Sequence, residues 1–267
     1  MGRGLRYTEA FAGVVKRRTV GRLGSALGSL ALLDRSAKVR RLTDWAIRGI
    51  EVEPIPSSLD GTRAAILVSN YPTASQSLRA VIKVGCRIST EHPRLRAIAR
   101  PEIVTQANAL FKALGVGQFV FPVHKDQAGA YGLEGRLVED ILRWLDDPGN
   151  VLWLSITGRT RGNGLLEGDL RTGAAMLSLK KGVPLVPMGL VTREKKGKLR
   201  VVGTRFGEPV CPPSASELDD FQRTDYLIDL TKLAMCGVAR LLPPGQRGDF
   251  EDAEAKLEET NRRLGIP

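Results

Sequence analysis

Histidine and cysteine are scarce in this chain. His92 and His124 are its two histidines, and Cys86, Cys211 and Cys236 are its three cysteines. An odd number of widely separated cysteines fits neither a disulfide framework nor a metal site. Two histidines cannot build a His-rich cluster either, so no metal is expected. Aromatic residues make up only 5% of the chain, little for stacking on single-stranded bases. No recognised nucleic-acid motif is present, and nucleic acid is not an expected partner. No apolar run reaches the roughly 18 residues that a membrane-crossing helix needs. The longest, "GSALGSLALL" from Gly24 to Leu33, is about half that length. The start "MGRGLR" lacks the hydroxyl residue of a myristoylation signal and the apolar core of a secretory one. An Arg-rich, acid-poor start leaves an organelle transit peptide open. A cytoplasmic or organellar location is the expectation.

Positive charge is abundant and unevenly placed. The formal net charge is +11; residues 1–50 hold eleven Lys and Arg against three acids and so carry +8 of it. Such a segment points to phosphates on a membrane surface or a nucleic acid, or else to a solvated helical face. Within it Phe11, Val14, Val15, Leu23, Leu27 and Leu30 recur at helical spacing, and a second helix is expected over 36–50. Helices of this kind can lie in a membrane interface or cap a core. Residues 1–54 therefore read as a basic amphipathic helical segment.

At 267 residues with 42% hydrophobic content, the rest can bury a sizeable core. After the turn-like "EPIPSS" of Glu53 to Ser58, short apolar runs alternate with helical stretches. Strands are expected at 64–69, 119–123, 151–156, 184–191 and 198–206. Helices are expected at 77–84, 132–145 and 173–181, and a charged helix at 249–264 follows the break "LPPGQRG". This alternation predicts an α/β domain over 55–267, a mostly parallel central sheet flanked by helices.

Residues 151–190, "VLWLSITGRTRGNGLLEGDLRTGAAMLSLKKGVPLVPMGL", run from a strand through a Gly/Arg turn to a helix and then Val-Pro-Leu-Val-Pro. With "ILVSNYPTASQ" at Ile66 to Gln76 and "GVGQFVFPVHKD" at Gly115 to Asp126, these blocks resemble the glycerolipid acyltransferase superfamily. Those enzymes acylate glycerol phosphate and lysophosphatidate. The family's third block reads Phe-Pro-Glu-Gly-Thr-Arg-Ser and falls on Ile156 to Gly162. Its Phe-Lys-x-Gly falls on Leu170 to Gly173, and its Val-Pro-Ile-Val-Pro on Val183 to Pro187. The four blocks keep the family's order over roughly residues 60–190.

The resemblance implies acyl transfer from a thioester, acyl-CoA or acyl-carrier protein, to a glycerophosphate hydroxyl, with no other cofactor. A His in the first block would be the general base and an Asp five residues later would orient it. Tyr71 and Gln76 match those two positions, and Gly158 matches the third-block Glu. A phenol with a pKa near 10 is ionised in only about one molecule in 10³ at neutral pH, and an amide cannot stabilise a cation as a carboxylate does. The catalytic positions are thus degenerate. The phosphate-contacting positions keep their charge: Lys125, Arg161 and Arg171 match basic residues of the family, and Arg159 adds another beside Thr160. His124, with Asp126 two residues on, is a candidate substitute base.

The reading that follows is a peripheral membrane homologue of phospholipid-biosynthesis acyltransferases, a pseudoenzyme that binds phosphorylated lipid or partners another protein. An active divergent transferase using His124, and a basic assembly or nucleic-acid-binding protein, are the alternatives. The lipid, the acyl chain and the oligomeric state are not legible in the sequence.

Overall fold

A computed structural model describes residues 47–89, 94–99, 119–123, 133, 135–157, 163–212 and 220–264, with isolated positions between 37 and 44. The helices expected over 7–33 and most of 36–50 lie outside the described residues.

The described chain forms β1 (Glu51–Val52), β2 (Ala65–Ser69), α1 (Ala74–Ile88), β3 (Leu95–Ala99), β4 (Val120–Pro122), α2 (Gly135–Trp144) and β5 (Val151–Ser155). It continues through α3 (Gly173–Lys181), β6 (Leu185–Lys195), β7 (Lys198–Phe206), α4 (Asp220–Arg240) and α5 (Ala253–Leu264). The seven strands form one sheet in the order β1-β7-β6-β2-β5-β3-β4. Every neighbouring pair is parallel except β6 and β7. The fold is α/β, a mostly parallel sheet flanked by helices.

All five residues of β2, Ala-Ile-Leu-Val-Ser, are buried, as a parallel strand covered on both faces requires. Its side chains alternate between two cores. Ala65 and Leu67 pack with α1 residues Val81 and Val84, and with Val151 and Trp153 of β5. Ile66 and Val68 pack on the other face with α3 residues Ala175 and Leu177, and with Leu230, Ala234 and Val238 of α4. Helices α2 and α3, which follow β4 and β5, pack on the opposite side of the sheet from α1, as right-handed crossovers dictate.

Some elements differ from the expectations. The first helix spans 74–88 rather than 77–84, because Thr73 caps it three residues earlier. Strand β6 runs on to Lys195. Strands β1 and β3 and the 21-residue helix α4 were not expected. Glu51 and Val52 pair with Gly203 and Thr204 of β7, so the sheet begins on the N-terminal side of residue 55.

The Cys86 and Cys236 thiols are buried, and Cys211 is exposed. Burial pushes both buried thiols up, Cys236 to about 11. Since the thiolate is the reactive form, a thiol reagent near neutral pH should modify one cysteine quickly in the folded chain and all three after denaturation. Rapid modification of two or more folded thiols would contradict this placement.

Candidate functional site

In a doubly wound sheet, ligands bind beyond the carboxyl ends of adjacent strands whose following connections leave toward opposite faces. Strands β2 and β5 meet that condition. They are parallel neighbours, Ser69 lying opposite Ser155. The chain after β2 enters α1 in one core, and the chain after β5 enters α3 in the other. The crevice between Ser69–Asn70–Tyr71 and Ser155–Ile156–Thr157 is the candidate site. The first block and the opening residues of the third, Ile156 and Thr157, flank it.

Tyr71 is half-buried at the rim. Its ring stands 6.4 Å from that of Trp153, tilted by 42°. Trp153 is anchored in turn, its indole Nε1 donating to Ser69 Oγ at 2.9 Å, while Ser69 Oγ donates to the Asn70 carbonyl, also at 2.9 Å. The Tyr71 ring therefore continues the core of the α1 face toward the crevice.

Asn70 closes the first block from below. It is buried, its Nδ2 donates to the Leu190 carbonyl at 3.0 Å, and its Oδ1 accepts from the Leu190 N–H at 2.7 Å. One side-chain amide thus substitutes for the next backbone pair of the β2–β6 ladder, which ends at Ser69–Met188. This role was missed from sequence, because its partner lies 120 residues away.

Gln76 stands in the first turn of α1, its backbone N–H pointing to Thr73 Oγ1 at 3.4 Å. Thr73, with extended backbone angles, is the N-cap, and Gln76 occupies the third helical position of a Thr-x-x-Gln capping sequence. Replacing Thr73 by Ala should cost about 1 kcal/mol in a denaturant titration. A change within error of zero would mean that the cap bond does not form.

Arg171 lies where the third block returns to the sheet. Its N–H donates to the Ile156 carbonyl at 2.8 Å, and Leu170 bridges Thr157. Its exposed guanidinium is 3.6 Å from the Asp169 carboxylate. The structure thus brings Tyr71, Gln76 and Arg171 to the same edge of the sheet. Gly158, Arg159, Thr160 and Arg161 lie outside the described residues, as do His124 and Lys125 beyond β4.

Helices α1 and α3 both begin at this edge, and neither carries an acid in its first turn. Apart from the Gln76 N–H, which Thr73 caps, the N–H groups of these first turns have no intrahelical partner, and with the helix dipoles they favour an anion there. Another cleft, of about 440 Å³, lies among Asp44, Lys83, Arg87 and β1, toward the far end of α1. Lys83 is buried there, donating to the Ile47 and Ile50 carbonyls and pairing with Asp44 at 3.2 Å. Burial alone would raise Asp44, but hydrogen bonds from Lys83 and Arg87 hold it below the usual carboxylate range. These groups satisfy one another and hold the N-terminal approach to β1, so that cleft is structural.

Among the described residues no group of three or more potential metal ligands is gathered, and no helix is long and apolar enough to cross a membrane. No family model and no curated protein matches the chain. A solved structure, the 1-acyl-sn-glycerophosphate (LPA) acyltransferase PlsC from Thermotoga maritima, aligns with 90% of this chain and 96% of its own. The TM-score is 0.49 and the identity 17%.

Proposed function

We propose that this protein binds a phosphorylated glycerolipid at a membrane surface and transfers acyl groups little or not at all by the His–Asp route. The observation that carries the reading is the place of Tyr71 and Gln76. They occupy the positions of a general base and its orienting carboxylate in the resembling blocks, and they stand beside the switch point of the sheet. Tyr71 is packed against Trp153, and Gln76 sits in a helix cap. The Tyr71 ring thus has structural work, the Gln76 backbone takes the cap bond, and neither side-chain chemistry suits proton abstraction at neutral pH.

Binding is the part the residues serve better. Two helix N-termini without acids face the same edge as Arg171. The Gly-Arg-Thr-Arg run at 158–161 joins Thr157 to this segment. A phosphate monoester on a single-chain glycerolipid would meet donors and positive charge there. Acyl-CoA or acyl-carrier protein would be the donor of any residual transfer, with no metal. The protein would work as a peripheral one, in cytoplasm or organelle, and could pass the bound lipid to a partner protein.

The test is saturable binding of lysophosphatidate by the full chain. Arg161→Ala and Arg171→Ala should each weaken it about tenfold, the loss of one charge-assisted contact. Equal binding of an uncharged monoacylglycerol, or no effect of either substitution, would contradict the reading.

A further inference from the structure

Strand β6 does not end where the sheet does. Strand β2 stops at Ser69, opposite Met188, whereas β6 runs on to Lys195 with β7 beside it. Seven residues at about 3.3 Å each carry this two-stranded arm roughly 23 Å past the end of β2. It leaves the same edge that holds the crevice, because β6 is parallel to β2.

An isolated two-stranded ribbon is marginally stable in water, but this one is held at its base. A register shift at Val191 and Thr192 bends it there. Gln246 clamps the bend, its Oε1 accepting from the Thr192 N–H at 3.0 Å and its Nε2 donating to the Thr192 carbonyl at 2.7 Å. Gly164, at φ +78°, passes so close that a Cβ there would sit 2.6 Å from Leu199 Cδ2. The arm is therefore fixed to the strand-to-helix loop that carries the third block. Its tip is a tight turn at Lys196 and Gly197, with φ of 52° and 65°.

The pairing register sorts the charges of the arm. Arg193 lies opposite Arg200 and Lys195 opposite Lys198, so these four cations share one face of the ribbon. Glu194 and Leu199, the pair between them, point to the other face. Residues 193–198 and Arg200 are all exposed. Like charges directly opposite one another destabilise a sheet, and no acid on that face offsets them. The field extends to α1, where burial and then the charge of Arg200 lower the Arg79 guanidinium from its usual range.

We infer that the cationic face of the 193–200 arm docks the protein on an anionic lipid bilayer, at the mouth of the crevice. A row of exposed cations on a ribbon clamped at its base complements a flat sheet of phosphates, each Lys or Arg adding to the attraction. The arm has no aromatic residue on which bases could stack, which favours lipid over single-stranded nucleic acid. The choice of a bilayer rests on the lipid reading above; the location of the contact rests on the arm alone.

The test uses the full chain and vesicles of phosphatidylcholine with or without phosphatidylglycerol. The wild type should sediment with the phosphatidylglycerol vesicles and be released by salt. Lys195→Glu with Lys198→Glu should weaken this at least tenfold, and the two Gln replacements by less. Lys180→Glu with Arg262→Glu, on exposed helical positions away from the arm, makes the same change in net charge and should have little effect. Unchanged melting temperatures keep the comparison valid. Equal vesicle binding by the wild type and the Lys195/Lys198 variants would overturn the arm while leaving the lipid reading intact. No binding by the wild type, or binding to single-stranded RNA instead, would overturn both.

Discussion

Replacing Asn70 by Leu should destabilise the protein by about 3–5 kcal/mol, although the two side chains are close in size. The Asn70 amide serves both polar groups of the buried Leu190 backbone. An apolar replacement leaves an N–H and a C=O without partners where water does not reach, each costing roughly 1–3 kcal/mol. Asn70→Asp would keep the acceptor for the Leu190 N–H but set a carboxylate against its carbonyl oxygen. Burial and that oxygen would raise the introduced carboxyl above its unfolded value near 4. The stability of this variant relative to the wild type should then be greatest below about pH 4 and fall as the pH rises toward the folded value. Denaturant titrations at several pH values would show both effects. An Asn70→Leu variant within about 1 kcal/mol of the wild type would mean that Asn70 does not extend the β2–β6 ladder.

Trp153→Ala should cost a similar amount, about 3–5 kcal/mol, for a different reason. The indole is 3% exposed and fills the core under α1. Its removal leaves a cavity directly beneath Tyr71 and takes away the donor to the Ser69 hydroxyl, which keeps its bond to the Asn70 carbonyl. Trp153→Phe retains most of the apolar contact and loses the indole donor, so about 1 kcal/mol is expected. The midpoint of unfolding should shift with the slope unchanged. If Trp153→Ala were as mild as Trp153→Phe, the ring would not be supporting the rim of the crevice.

These two residues show what the sequence carries openly and what it conceals. Helix α3 was legible to its last residue, since Gly173 opens it and Gly182 follows it. The runs that became β2, β5 and β6 were legible as apolar strands because both faces of a central parallel sheet are covered. Helix α4 was not. Residues Asp229 to Ala239 are buried almost continuously between the sheet and α5, which erases the one-sided periodicity that marks a surface helix. Strand β3 was hidden by Arg96, its second residue, which reads as a surface residue. In the fold its guanidinium lies 3.9 Å from the centre of the Trp144 ring and 5.0 Å from that of Phe121, a contact no local pattern announces.

The crevice was legible in the same uneven way. Tyr71, Gln76 and Arg171 came forward through the spacing of the blocks, and the fold places them along one edge. Asn70 reads as one more polar residue of the first block until the pairing of β2 with β6 is known. The basic arm was expected as two separate strands of which the first stopped at residue 191. Its four-cation face exists only through the register of the hairpin, which sets residues 193 and 195 opposite 200 and 198.

The central claim is that this protein holds a phosphorylated lipid without the usual thioester chemistry. The most direct measurement is thioester release by the purified full chain, given anionic vesicles, long-chain acyl-CoA and lysophosphatidate, with His124→Ala in parallel. The account predicts little or no release above the uncatalysed rate, the same in both proteins, together with saturable lysophosphatidate binding. Release by the wild type that is lost in His124→Ala would contradict it, and would make this an active acyltransferase with its base moved to the second block.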